Sequence, residues 1–249
     1  MYTKAISASC YCPDVPDMDD LFQTPKEAIS RHSSKMHLVP PSGKPLKFDF
    51  DGYVLNRVAH DENLVELAKK SGADYLIDSM VEKVEGNQVL LKNGDSYSAK
   101  VIVDAGGHNG PLRRDYWNEK SVKIPVKFVL MDGDFGEAVE LHFGSMAPGG
   151  YAWMFPKSKG ANIGLGIQRS FAKGRNLNQY TEDFVSKYDG EISFTGAGSL
   201  PMSGTLKKFV KGNYMLVGDS AGMVLPSNGA GITIAMVGGR IAGQVISEN

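Results

Sequence analysis

The stretch that most constrains the fold is YMLVGDSAGMVLPSNGAGITIAMVGGRIAGQVI, residues 214–246. Its opening residues read as a short buried strand, and the run after Gly231 has the apolar spacing of a helix. A strand ending in Gly218 and Asp219 presents them at its C-terminal edge, where open α/β sheets bind ligands. Asp219 placed there can accept hydrogen bonds from sugar or ribityl hydroxyls. Gly229, Ala230 and Gly231 open the helix, whose uncovered N–H groups and dipole favour a negatively polarised ligand atom. The segment equally fits a plain strand-turn-helix crossover whose small residues serve packing alone.

VIVDAGGHNGPLRR, residues 101–114, repeats the pattern: an apolar strand, Asp104, Ala105, Gly106 and Gly107, then Arg113 and Arg114. One such edge is ordinary turn chemistry. Two such edges in one chain are a stronger signal. Glycine supplies 29 of 249 residues, roughly 12% against about 7% in average usage, so backbone turns sharply or approaches something closely many times. Charged residues make up 22% and hydrophobic ones 42%, with 27 basic against 28 acidic side chains. That balance excludes disorder and a basic surface for nucleic acid. Cys10 and Cys12 are the two cysteines, too few for a disulfide framework and without the partners of a zinc site, so no metal and a reducing cytoplasm are expected. MYTKAISASCYC has no apolar h-region, and no apolar run reaches about 18 residues, so any membrane contact is expected to be peripheral.

Along the chain, PKEAISRH after Pro25 predicts a short helix, and KMHLV, PPSG and KPLKFDF a hairpin. Leu64, Val65, Leu67 and Ala68 recur at helical spacing from Ala59, behind the candidate caps Asp61 and Asn63, with Gly72 at the stop position. DYLID, EKVEG, QVLLK, SYSAK and VIVD then read as strands, with a turn at Asn93-Gly94. VKFVLMD, EAVELHF, GYAWMF and ANIGLGI continue as an antiparallel sheet forming a second lobe. A helix over NLNQYTEDFVSKY, the strand NYMLVGD and a closing helix from about Ala230 to Val245 follow.

GDSAGMVLPSNGAGI, from Gly218 to Ile232, resembles the G-D-A-A-G-x-x-x-P-x-x-G-x-G-I motif of flavoproteins with the para-hydroxybenzoate hydroxylase fold, departing by Ser220. The resemblance extends to GYVLNR, ending in Arg57, and to DAGGHNG, where Gly110 stands in place of the common serine. PGGYAWMFPKSKGANIGLG carries Y-x-W-x-F-P, seven residues, then G-x-G, and resembles the signature of geranylgeranyl reductases, which hydrogenate isoprenoid chains of lipids. Alternation along a strand puts Tyr151, Trp153 and Phe155 on one side, as an aromatic channel wall or as a plain core face.

The resemblance implies an α/β fold: an incomplete FAD-binding Rossmann-type domain, residues 1–120 and 196–249, with an inserted antiparallel-sheet substrate domain, residues 121–195. It implies FAD contacts at Arg57, Asp104, Gly106, Gly218, Asp219, Pro226, Gly229, Ala230, Gly231 and Ile232. Substrate contacts are implied at Tyr151, Trp153, Phe155, Pro156, Gly164 and Gly166. Cys10 is the candidate for proton delivery beside the flavin, and Cys10 and Cys12 equally read as small half-buried residues. The expected reaction passes a hydride from flavin N5 to one alkene carbon and a proton to the other. It needs an external donor, reduced ferredoxin or a nicotinamide nucleotide, and an isoprenoid lipid met at the cytoplasmic membrane face. Because no G-x-G-x-x-G opening precedes Cys10 and a helical C-terminal extension is missing, the chain is expected to be a fragment of a larger reductase. The rivals are a flavin monooxygenase or halogenase on the same fold, and a truncated chain without cofactor. His108 reads as a turn residue rather than a general acid, and Lys207, Lys208 and Lys211 as a solvated face.

Overall fold

The structure, a computed structural model, describes residues 8–10 and 24–248. In chain order, β1 (Ala8–Cys10), β2 (Ile29–Val39) and β3 (Leu46–Leu55) precede helix α1 (Arg57–Lys70). Strands β4 (Val81–Glu85), β5 (Gln88–Leu91), β6 (Ser96–Ser98) and β7 (Ile102–Asp104) lead to the short helix α2 (Pro111–Tyr116). There follow β8 (Lys123–Asp132), β9 (Val139–His142), β10 (Ala152–Lys157), β11 (Gly160–Gly166), helix α3 (Leu177–Val185) and β12 (Glu191–Pro201). Strands β13 (Val210–Lys211) and β14 (Tyr214–Leu216) and helix α4 (Ile232–Glu248) end the described chain. Contacts divide it into two compact units, residues 1–66 with 124–199 and residues 67–123 with 200–249.

The first unit is built on an eight-stranded sheet ordered β1-β3-β2-β9-β10-β11-β8-β12. The expected antiparallel run is there as β8 to β11, and the expected hairpin as β2 and β3. The hairpin joins that sheet by a parallel ladder, Met36 opposite Val139 to Val39 opposite His142. Residues 24–66 therefore group with the antiparallel sheet, in contrast to the boundary at 120, because Met36, Phe50 and Val54 bury their side chains in its apolar face. The helix expected after Pro25 is one 3-10 turn, Lys26–Ala28. From Ile29 the backbone is drawn into ladder pairing with β3, and tertiary pairing overrides local propensity. β12 escapes sequence detection because EISFTGAGSLP carries glycines and small polar residues in place of clear alternation.

Helix α1 begins at Arg57, ahead of the caps read from sequence, and ends as expected at Gly72. Gly72 adopts φ +91° and donates to the Lys69 carbonyl, while Ala73 donates to Ala68, the bonds of a Schellman stop. Helix α3 starts in a capping box: Asn176 accepts from the Gln179 N–H at 3.1 Å and Gln179 Oε1 from the Asn176 N–H at 2.9 Å. Its Tyr180, Phe184 and Val185 cover one sheet face, packing on Val129, Met154, Ile163 and Leu165. Phe184 is fully buried, so Phe184→Ala is expected to cost about 3–5 kcal/mol in urea unfolding; a loss under about 1 kcal/mol would mean that α3 is not integral to this core.

The same face carries a half-buried polar group. The Glu140 carboxylate lies 3.5 Å from His37 Nδ1 and 3.0 Å from His142 Nε2, and the Tyr188 hydroxyl is 3.3 Å from that nitrogen. The hydrogen bond from His142 holds the Glu140 carboxyl below the usual glutamate range, against the opposing effect of burial. Burial, followed by the Glu140 charge, raises the Tyr188 phenol. Because the folded-state value of Glu140 is depressed, its contribution is complete above the ordinary glutamate range and is lost as pH falls through the lowered value. Denaturant midpoints measured from pH 7 to pH 3 should fall more steeply for the native chain than for Glu140→Gln. Parallel curves would show that the carboxylate makes no pH-dependent contribution.

In the second unit β7 and β14, each expected as a strand from its apolar run, pair with one another in parallel, Tyr214 opposite Ile102 through Leu216 opposite Asp104. A separate antiparallel sheet of β4, β5 and β6 accompanies them. DYLID does not form a strand, and Tyr75, Leu76 and Ile77 are exposed. Val84, Leu112, Trp117, Tyr214, Leu216, Ala221 and Met223 form the core.

Candidate active site

In the second unit the ends of β7 and β14 are bolted together before any ligand is considered. Asp104 turns its carboxylate inward: Oδ1 accepts the Gly106 N–H at 2.7 Å and Oδ2 the Arg113 N–H at 3.1 Å. A Cβ on Gly110 would stand 2.2 Å from that carboxylate, which explains glycine where the family motif has serine. The Asp104 carbonyl accepts from the Val217 N–H at 3.1 Å and from the Ser220 hydroxyl. Ser220, fully buried, also reaches the Val217 carbonyl at 2.7 Å. Its departure from the family alanine thus adds a tie between the two strand ends.

Asp219 follows on the 3-10 turn Gly218–Ala221 and lines a cavity of about 250 Å³ with His108, Arg113, Ser203, Thr205 and Gly222. Arg113, only 7% exposed, donates to the carbonyls of Ser220 at 3.4 Å and Glu119 at 3.0 Å, so its charge faces neutral acceptors there. Burial, then the Lys123 cation, holds His108 below the usual imidazole value, against the pull of Asp219. Gly218 takes φ +62° and Gly222 φ +70°, and a Cβ on Gly222 would meet the Gly204 carbonyl oxygen at 2.4 Å. Pro226 is exposed on a loop closed by Leu225, whose carbonyl accepts from Gly229 at 2.8 Å and whose N–H donates to Ala230 at 2.9 Å. Gly231 brings the start of α4 beside Asp219, since a Cβ there would lie 3.6 Å from Asp219 Oδ1. The first bond inside α4 runs from the Ala235 N–H to the Gly231 carbonyl, so helix geometry leaves the N–H groups of Ile232 to Ile234 without intrahelical acceptors. A carboxylate acceptor beside unspent N–H donors, reached over glycine backbone, fits the hydroxyls and electron-rich ring edge of a flavin.

In the first unit Tyr151, Trp153 and Phe155 project from one side of β10, as alternation predicted. Phe143, Tyr151, Trp153 and Phe155 form a ladder with successive ring centroids 6.1, 5.9 and 6.1 Å apart. Burial drives the Tyr151 phenol up to about 12. Trp153 is 9% exposed and sits with Phe128, Val54 and Val139. The G-x-G spacing has a steric cause: Trp153 stands opposite Gly164 across the ladder, and a Cβ on Gly164 would lie 2.6 Å from both Trp153 Cζ2 and Phe128 Cβ. A Cβ on Gly166 would stand only 3.0 Å from Val126 and 3.2 Å from Ile124, so that position is tight as well. Pro156 falls on the α3 face by alternation and pairs with Ala161. Asn162, absent from the sequence expectations, is fully buried and accepts the Trp153 Nε1–H at 2.5 Å, while its Nδ2 has no hydrogen-bond partner. Such an orphaned donor costs about 1–3 kcal/mol. One polar residue between apolar neighbours in ANIGLG was the available signal.

Arg57 is bound by both oxygens of Asp61, at 3.1 and 3.0 Å, one helical turn on. Cys10 ends β1 opposite Gly52; Cys12 lies outside the described residues. Lys211 donates to the Tyr116 carbonyl and lies 4.7 Å from the Trp117 ring centroid, and Lys207 lines the cavity.

A flavin-dependent halogenase from Brevundimonas sp. BAL3 shares the fold at a TM-score of 0.63, with 15% identity over 83% of this chain and 44% of that one. Residues 122–197 match the model of the geranylgeranyl reductase catalytic domain. The crystal structure of a geranylgeranyl bacteriochlorophyll reductase-like protein from Thermoplasma acidophilum superposes at a TM-score of 0.78, with 28% identity over 90% of this chain and 64% of that one. The digeranylgeranylglycerophospholipid reductase of Methanocella arvoryzae is 35% identical over 79% of this chain and 55% of its own length. The chain is thus similar to the geranylgeranyl reductase family over most of its own length. It spans between 55% and 66% of the lengths of the curated relatives it matches.

The Gly164 contacts generate a direct test of the wall. Gly164→Ala overpacks the ring stack and is expected to cost about 1–3 kcal/mol, with a change in Trp153 emission in a Trp117→Phe background. Native stability and emission together would show that the wall has slack the geometry does not reveal.

Proposed function

We propose that the protein is an FAD-dependent reductase that saturates carbon–carbon double bonds of isoprenoid chains on lipids. The observation that carries this reading is the aromatic strand, which lies inside the segment matching the reductase catalytic domain. A geranylgeranyl chain is apolar along its length, and surface withdrawn from water contributes about 25 cal/mol per Å². Tyr151, Trp153 and Phe155 supply that dry surface, with Gly164 and Gly166 behind them. The flavin, when bound, supplies the hydride chemistry. Asp219 would accept from its hydroxyls, the N–H groups opening α4 after Gly231, from Ile232 on, would serve its ring edge, and Gly106, Gly218, Gly229, Ala230 and Gly231 would let backbone approach it. Pro226 shapes the intervening loop. Asp104 serves by holding the Gly106 turn, and Arg57 through the donors that Asp61 does not engage. Cys10 is the proposed proton source.

The external donor, reduced ferredoxin or a nicotinamide nucleotide, belongs to the same proposal, as does a peripheral seat at the cytoplasmic membrane face. Among the described residues no helix is long and apolar enough to cross a membrane. Digeranylgeranylglycerophospholipid, the lipid in the relatives' names, is the first substrate to test. With chemically reduced FAD, mass spectrometry should record two hydrogens gained per double bond reduced. Oxygen uptake without that gain would favour the monooxygenase or halogenase chemistry known on this fold. Asp219→Ala should weaken FAD binding about tenfold or more, the scale of a hydrogen bond to a charged group. Unchanged flavin affinity in fluorescence titration would remove Asp219 from the site.

A further inference from the structure

We propose that the tip of the β2–β3 hairpin docks the protein on an anionic lipid bilayer; this rests on the peripheral membrane seat in the reading above and gives it a place. The ladder registers carry one apolar row across the first unit: Trp153 stands opposite Leu141, Leu141 opposite Leu38, and Leu38 opposite Leu46. Beside it Val139 stands opposite Met36, and Met36 opposite Phe48. Residues directly opposite in a ladder share a face, so Leu46 and Phe48 lie on the face whose inner part is core. Val139 and Trp153 are buried there, whereas Leu46 is 57% and Phe48 49% exposed. Phe143, 37% exposed, adjoins the root of the turn, where its N–H donates to the Val39 carbonyl.

The turn between the strands is stiff. Gly43 takes φ +78° and donates to the Pro40 carbonyl at 2.9 Å, and Pro40, Pro41 and Pro45 fix their own φ around it. A tip held in one shape presents Leu46 and Phe48 at little ordering cost, and apolar side chains that stand outside the core find burial at the acyl boundary of a bilayer. Charge decides between a bilayer and a second copy of this chain. Residues 35–49 carry Lys35, Lys44 and Lys47 against one carboxylate, Asp49, and all four are exposed. Excess positive charge around an apolar tip complements anionic headgroups, and the two attractions together meet the need for two signals in peripheral anchoring. Two copies of the tip would bring like charges together.

The test is co-sedimentation of the intact 249-residue chain with vesicles of phosphatidylcholine and with vesicles of phosphatidylglycerol. The native chain is expected to bind the anionic vesicles, and less so at high salt. Leu46→Ser with Phe48→Ser should weaken that binding about tenfold or more through lost apolar burial. Lys44→Gln should weaken it about fivefold, the scale for one cation near the surface. Both variants should keep the thermal midpoint, since these side chains have little packing to lose. If the double variant fails to fold, Phe48→Trp stands in: its emission should shift to the blue on anionic vesicles and be quenched by brominated acyl chains, with the buried Trp117 and Trp153 of the native chain as the unquenched baseline. Equal binding to both kinds of vesicle, undiminished binding by the serine variant, or no quenching in Phe48→Trp overturns the hairpin assignment while leaving the peripheral seat in place. A native dimer in gel filtration that becomes a monomer in the serine variant makes the patch a contact between copies and overturns it as well. A native chain that binds neither vesicle overturns the membrane seat and the inference with it, and leaves the reductase chemistry to its own assay.

Discussion

The first unit depends on one steric exchange: the Trp153 indole lies where Gly164 has no side chain. Phe128 does the same over Gly196, whose Cβ would stand 2.4 Å from its ring, so large rings and bare backbone alternate across neighbouring strands. Rings pressed onto glycine backbone leave a face that is apolar and has few rotamers to choose from. The other face of the same sheet is covered by α3 through Phe184 and Tyr180, so the sheet is anchored from behind while the ring face is kept for the ladder. The polar residues in this unit are placed accordingly. Glu140 and its histidines lie on the α3 side, and the ring side admits Asn162, bonded to Trp153.

The second unit divides its two acidic strand ends between different tasks. Asp104 spends both carboxylate oxygens on backbone N–H groups, and its carbonyl ties β7 to β14 through Val217 and Ser220. Asp219, one strand over, lines the cavity. The bolt formed by Asp104, Gly110 and Arg113 holds the turn on which Asp219 stands. Proposed cofactor chemistry and backbone architecture are thereby separated by residue although the two edges look alike in sequence.

The likeness to the reductase family and these placements bear on one another. The matched catalytic-domain segment, residues 122–197, contains the ring ladder, Asn162 and the glycine pair. The flavin-type turn at Gly218 to Ile232 lies outside it. A halogenase with 15% identity shares the fold, so the fold alone does not choose the chemistry; the side chains on β10 and β11 carry that choice in the reading proposed above.

Much was legible in the residues themselves. The period of two in β10 put Tyr151, Trp153 and Phe155 on one face, Gly72 ended α1, and two apolar runs closing in Asp and Gly marked two strands, because each of these follows from local backbone geometry. Long-range partners decided the rest. The segment after Pro25 is a strand because β3 and β9 lie beside it, and β12 exists because β8 offers it a ladder. Asp104 faces inward because Gly110 makes room. The place of Asn162 belongs to the same class: its spacing put it on a strand, but the indole that takes its oxygen lies on another strand, and no periodicity within one segment encodes a hydrogen bond between two.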